Sequence, residues 1–96
     1  MATISRDILA SYAADAAREV DGVENIIESS LHRHKGVRVF EEDGRTRVEL
    51  HLAVAWGASV PAVGAAVQER VAGYLHRMAQ VTPDRVDVVI DLIGPP

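Results

Sequence analysis

The segment from Thr46 to Trp56 constrains the fold most, because its side chains alternate between two chemical types. Every second position is a large apolar residue, namely Val48, Leu50, Leu52, Val54 and Trp56. Successive side chains of a β-strand point to opposite faces of the sheet. The pattern therefore predicts a strand with one face in a hydrophobic core and the other face uncovered, which requires a second layer on one side of a sheet.

Two segments with helical spacing supply that second layer. Apolar residues recur at intervals of three and four from about Ser5 to Val20, and again from roughly Val60 to Ala79. Ser5 is a suitable N-cap for the first helix, and Asp21-Gly22 closes it. Pro61 fits the first turn of the second helix, where its missing N–H costs nothing.

Two glycines, Gly64 and Gly73, interrupt the second predicted helix. Each destabilises a helix interior by about 1 kcal/mol relative to Ala. Their presence predicts that something packs closely against those two turns.

Two further strands accompany the alternating segment. The first runs from Gly36 to Glu42 and is joined to it by Asp43-Gly44, a strong signal for a two-residue hairpin. The last runs from Arg85 to Ile93. Residues 24–35 are polar and mixed, and we interpret them as a loop or a short extra turn.

These elements predict one α+β domain over residues 1–96, a two-layer sandwich of order α-β-β-α-β. Two helices pack on one face of a three-stranded sheet. The crossover through the second helix is right-handed, so the last two strands lie parallel. We place the Thr46–Trp56 strand in the centre because it is the longest. The alternative is an all-antiparallel sheet with the Gly36–Glu42 strand in the centre.

Composition and motifs favour a binding domain over an enzyme. The chain has no cysteine, which excludes disulfides and thiolate metal sites. His32 and His34 form a poor metal pair because Arg33 and Lys35 adjoin them. Asp87 and Asp91 lie ~13 Å apart along a strand, too far for a shared catalytic site. We predict no catalytic residue, no metal and no cofactor.

Basic residues cluster around the first hairpin, and they could contact an anion or an acidic partner. The cluster consists of Arg33, Lys35, Arg38, Arg45 and Arg47. Neighbouring acids, Glu41 to Asp43 and Glu49, partly neutralise it. We therefore favour an ordinary solvated hairpin face, and expect no direct binding to anionic lipid at physiological salt.

An apolar patch is predicted on the uncovered face of the sheet. Phe40 lies out of phase with the buried positions of its strand, and four other apolar residues share that face, namely Ala53, Ala55, Val89 and Ile93. Contiguous apolar surface often marks an interface. We interpret these five residues as a candidate interaction surface, with self-association as one outcome.

Segments along nearly the whole chain resemble the alkaline shock protein family of Gram-positive bacteria. They are Ile8, Ala16–Val23, Lys35–Val39, Val48–Gly57, Val60–Val63, Val67–Val71 and Val86–Ile90. For example, Lys35–Val39 resembles the family's "KGVKV" strand. The resemblance implies a non-catalytic, cytoplasmic interaction or scaffold protein of envelope stress, brought to the membrane by an anchored protein partner.

A KH-like RNA-binding module is the alternative from a different functional class, because its element order is compatible with this one. Such a module needs a GXXG loop between two helices. The sequence has none, since Gly64 and Gly73 lie within one predicted helix. The formal net charge of −4 also gives no general attraction to nucleic acid. With neither a signal peptide nor a membrane span predicted, we expect a cytoplasmic protein without direct membrane insertion.

Overall fold

The computed structural model describes residues 4–28 and 36–95. In chain order the elements are α1 (Arg6–Arg18), β1 (Val23–Ile26), β2 (Val37–Glu42), β3 (Arg45–Val54), α2 (Val60–Ala79) and β4 (Arg85–Ile93). The α+β class and both predicted helices are confirmed.

Serine caps begin both helices. The backbone N–H of Ile8 donates to the Ser5 hydroxyl at 3.2 Å, and the N–H of Ala62 donates to the Ser59 hydroxyl at 3.4 Å. Each bond satisfies a donor that the first turn of a helix leaves without an intrahelical partner. The helices therefore begin where the sequence indicates.

The central strand of the sheet is β3. Its first half pairs antiparallel with β2, so that Val37 lies opposite Leu50, and its other edge pairs in parallel with β4. The predicted central position and the parallel crossover are confirmed. The all-antiparallel alternative is wrong.

The three-stranded sheet was a wrong prediction, because residues 23–26 form a fourth strand. β1 pairs antiparallel with the second half of β3, on the same edge that β2 occupies, so that Ile26 lies opposite Leu52. This strand has four residues, and Ile26 alone among them is buried. So short a segment shows no alternation that would distinguish it from a loop.

The hydrophobic core lies between the helices and one face of the sheet. Val48, Leu50, Leu52 and Val54 are fully buried there, against Leu9 of α1 and Val67, Val71 and Leu75 of α2. The predicted burial of Leu50 and Leu52 is confirmed. In the described residues, no helix is both long and apolar enough to cross a membrane.

The expectation for Gly64 and Gly73 is wrong within the described part of the chain. A Cβ atom built on either glycine would meet no other atom within 4 Å. Among the described residues, no close neighbour therefore requires a glycine at either position.

Candidate functional site

The uncovered face of the sheet carries a group of charged side chains at its centre. Arg47, Glu49 and His51 occupy the alternate positions of β3 that point away from the helices. β4 runs alongside with Asp87 opposite Glu49. The local alternation of both strands thus places acids and bases side by side.

Arg47 links the two strands. Its Nη1 lies 3.2 Å from Glu49 Oε2 and 3.2 Å from Asp87 Oδ2. The second oxygen of Asp87 accepts from Arg85 Nε at 2.9 Å. Opposite charges therefore neutralise one another across this part of the face.

His51 lies between two carboxylates, one at each ring nitrogen. Nε2 is 2.8 Å from Glu49 Oε1, and Nδ1 is 2.8 Å from Asp91 Oδ2. A neutral imidazole donates from one nitrogen, whereas an imidazolium donates from both. This geometry therefore favours the protonated ring.

The pKa values of this group follow from the same contacts. Desolvation by burial lowers the pKa of His51, but hydrogen bonds to Glu49 and Asp91, and their charges, outweigh it and raise that pKa above its ordinary value. The hydrogen bond from His51 holds the pKa of Glu49 below its usual value, against the opposing effect of burial. Both pKa shifts favour a protonated His51 ring between two ionised carboxylates.

The His51 group does not have the geometry of a metal site. Glu49 and Asp91 contact different nitrogens of the ring, so the three side chains do not converge on one point. No group of three or more His, Asp or Glu residues in the described parts of the chain could hold a metal ion. His32 and His34 lie outside the described residues.

Replacing His51 with Gln is expected to cost most stability at acidic pH. A raised folded-state pKa means that the folded chain binds more proton than the unfolded chain. This contribution is therefore full in mildly acidic solution, below about pH 6.5 but with Glu49 still ionised, and it is lost as pH rises through the folded pKa of His51. We expect a difference of about 0.5–1 kcal/mol at low pH, typical of partly exposed charged pairs. Urea denaturation of both proteins from acidic to alkaline pH measures it.

The matched control for this prediction is His76→Gln, which removes an imidazole whose Nδ1 faces the Thr82 hydroxyl at 3.1 Å. If the stability loss in the His51 variant stays constant or grows toward alkaline pH, the raised pKa of His51 in the folded chain is contradicted.

The structure brings only part of the predicted basic cluster together. The guanidinium groups of Arg38 and Arg47 lie over the Phe40 ring, 4.8 and 4.1 Å from its centroid. Arg45 is exposed at the hairpin, while Arg33 and Lys35 lie outside the described residues. Arg47 is already paired with two carboxylates. Contact between this cluster and an anion stays a prediction.

The predicted apolar patch is divided rather than continuous. Phe40 is half-buried, with two guanidinium groups near its ring, and Ala53 is buried. Ala55 lies beyond the end of β3, and Val89 is exposed on the uncovered face as expected. Val89 pairs with His51 and lies between Asp87 and Asp91 on its own strand, so charged side chains separate it from Phe40.

A bulge in β4 makes the predicted face of Ile93 wrong. Ile90 pairs with Leu52, but Leu92 pairs with the next residue, Ala53, which leaves Asp91 as the extra residue. Side chains beyond the bulge therefore change faces. Leu92 lies on the uncovered face, and Ile93 falls in register with the helix-facing Val54.

Three large apolar side chains are exposed at the end of the sheet where β3 and β4 finish. The exposed fractions are 63% for Trp56, 55% for Leu92 and 50% for Ile93. The sequence pattern placed Trp56 in the buried series of β3. The strand ends at Val54, however, and Trp56 lies in the following turn. We call Trp56, Leu92 and Ile93 the apolar end.

Solved structures similar to this chain share its fold. The copper form of the MamM CTD aligns with a TM-score of 0.67 at 17% identity, over 93% of this chain and 86% of that one. The zinc form of a MamM CTD variant aligns with a TM-score of 0.66 at 19% identity, over 90% and 84%. At these identities the similarity extends to the fold alone.

Sequence comparison identifies the family. The chain is 28% identical over 97 residues to the "Uncharacterized protein YqhY" of Bacillus subtilis (strain 168), covering 91% of this chain and 72% of that protein. The family model of the alkaline shock proteins, described as having a cell envelope-related function, matches residues 1–94. The resemblance found in the sequence segments is thereby confirmed, and the chain belongs to the alkaline shock protein family.

Proposed function

We propose that this chain is a non-catalytic, cytoplasmic interaction domain that serves the cell envelope by binding a membrane-anchored protein. The apolar end carries the proposal. Trp56, Leu92 and Ile93 are each at least half exposed, and they lie at the same end of two paired strands. Exposed large apolar side chains, tryptophan above all, are typical of the energetic centre of protein interfaces.

The neighbouring charged group supports a protein partner over direct attachment to lipid. Arg47 is paired with Glu49 and Asp87, and Arg85 is paired with Asp87, so carboxylates offset the cationic charge of these two arginines. The whole chain carries a formal net charge of −4, which anionic headgroups repel. Charged side chains around an apolar centre form the usual polar rim of an interface.

Neither metal binding nor RNA binding is part of the proposal. The similar MamM CTD structures are described as zinc and copper forms. In this chain, the three donors around His51 face one another rather than a common centre. For the KH-like alternative, α1 and α2 are separated by β1, β2 and β3, so no short helix–helix loop is available between them.

Site-specific photo-crosslinking in cells tests the proposal. A photoreactive amino acid at Trp56 is expected to give a discrete product with an integral membrane protein. The same amino acid at Met78, which is exposed on α2, is the matched control and should not give it. Equal products from both positions, or a soluble partner alone, would contradict the proposal.

The purified protein is expected not to co-sediment with anionic phospholipid vesicles at physiological salt. In cell fractionation, the wild type should accompany membranes, and a Trp56→Ser/Leu92→Ser variant should not. Strong vesicle binding by the protein alone would replace the partner proposal with direct electrostatic attachment.

A further inference from the structure

The outer edge of β4 is a long strand edge that no strand among the described residues pairs with. β4 spans nine residues, and its helix-facing side chains Val86, Val88 and Ile90 are covered only in part. Such an edge presents unpaired backbone donors and acceptors, and proteins usually shorten, cover or pair it. A second strand here would extend the sheet and bury those three side chains further.

The order of residues along β4 is complementary to itself when the strand is reversed. Arg85 stands at one end and Asp91 near the other, with Val88 midway between them. Antiparallel pairing of two copies about a two-fold axis at Val88 would put each Arg85 opposite Asp91 of the second copy. It would also put Val86 opposite Ile90, which joins apolar side chains on the helix side.

Electrostatics favours this register over its neighbours. Each side chain stays on its own face of the joined sheet only if the two-fold axis passes through a residue, and not between two residues. The neighbouring registers therefore centre the axis on Asp87 or on Val89. Centring on Asp87 would oppose two copies of that carboxylate, and centring on Val89 would oppose Asp87 to Asp91. Like charges directly opposite one another are destabilising, so Val88 is the favoured centre.

The two charged side chains retain bonding capacity for such contacts. Arg85 uses Nε to bind Asp87, and the guanidinium has further N–H donors. Asp91 uses Oδ2 to contact His51, and this contact also shows that Asp91 projects from the uncovered face despite the bulge. Arg85 and Asp91 therefore lie on the same face.

The part of α2 that overlies this edge has little side-chain bulk. Gln68 of α2 donates from Nε2 to the Val86 carbonyl at 3.0 Å, which places this side of the helix above β4. Gly64 and Ala72 lie one helical turn to either side of Gln68. A carbonyl has two lone pairs, so the Gln68 bond does not prevent Val86 from accepting a second one.

We propose that this chain forms a symmetric dimer in which β4 pairs antiparallel with β4 of a second copy, in the register centred on Val88. The dimer extends the two sheets into one continuous sheet. Its interface is the strand edge rather than the uncovered face, so it requires no envelope partner.

Charge exchange tests the register with purified protein. Arg85→Asp or Asp91→Arg alone opposes like charges at two symmetric positions, and should raise the dissociation constant of the dimer roughly tenfold. Mixing the two variants restores both opposite-charge pairs and should recover dimerisation. Sedimentation equilibrium measures each sample. Arg6→Asp, which makes the same charge change on α1, should leave the dimer unchanged.

A cysteine crosslink tests the two-fold centre independently of charge. The chain has no cysteine, so Val88→Cys introduces a single thiol that would face its own copy across the axis. Under mild oxidation, it should form a covalent dimer faster than Met78→Cys, although Met78 is the more exposed residue. Thermal melts establish that each variant is folded.

Three results would overturn the proposal. They are a wild type that stays monomeric at the highest attainable concentration, two charge variants that fail to associate when mixed, and a Val88 thiol that reacts no faster than the Met78 thiol. A Val89→Asp variant would not show whether the dimer forms through the β4 edge or through the uncovered face. The proposed register puts Val89 opposite Asp87, so the substitution would weaken either dimer. The vesicle and crosslinking experiments above are unaffected by any of these results.

Discussion

Replacing Leu52 with Ala is expected to lower the free energy of unfolding by about 2–5 kcal/mol. Leu52 is fully buried in the middle of β3, between Ile26 of β1 and Ile90 of β4. Truncation removes apolar contacts and leaves a cavity that a sheet paired on both sides cannot easily close. Urea denaturation followed by circular dichroism measures the loss.

Leu92→Ala is the matched control, because it makes the same chemical change at a residue that is more than half exposed. We expect its effect to stay within about 0.5 kcal/mol. Equal losses from the two variants would show that the β3 and β4 faces are assigned incorrectly.

Replacing Gly36 with Ala is expected to destabilise the chain by about 2–4 kcal/mol, as a sum of two effects. The backbone φ of Gly36 is +82°, a region that L-residues with a Cβ rarely adopt. A Cβ at this position would also overlap the Ile26 side chain and lie 2.7 Å from the Ile27 carbonyl oxygen. Relief would require movement of β1 or of the bond from the His51 N–H to the Gly36 carbonyl.

Gly44→Ala separates the two effects. Gly44 has a similar φ of +75°, but a Cβ there would meet nothing within 4 Å. It should therefore show only the conformational cost, about 1–2 kcal/mol. If Gly36→Ala and Gly44→Ala lose the same stability in urea, the close approach of β1 to Gly36 is contradicted.

The helices and the central strand could be predicted because their signals are local. The alternation around Leu50 and Leu52 indicates a strand with one buried face. The capping role of Ser5 can be recognised from the few residues that follow it. The crossover through α2 follows from a general handedness rule. None of these inferences needs to know which distant residue is a neighbour.

The candidate site could not be predicted in the same way. His51 and Asp91 are 40 residues apart in the chain, and the parallel register of β3 with β4 brings them to 2.8 Å. His51 has Glu49 two residues away on the same face of β3, but nothing in the local sequence marks its second contact, with Asp91. β1 was missed for a related reason, since four residues with one buried side chain become recognisable as a strand only by pairing with β3.

By itself the sequence determined which residues form the core face of β3, where the helices begin and which family the segments resemble. Only the tertiary structure decided which side chains lie on the uncovered face of the sheet. A bulge of one residue at Asp91 exchanges the faces of Leu92 and Ile93. The physical reason is that side-chain alternation is a property of one strand, whereas register and bulges depend on hydrogen bonds between strands that are distant in the chain.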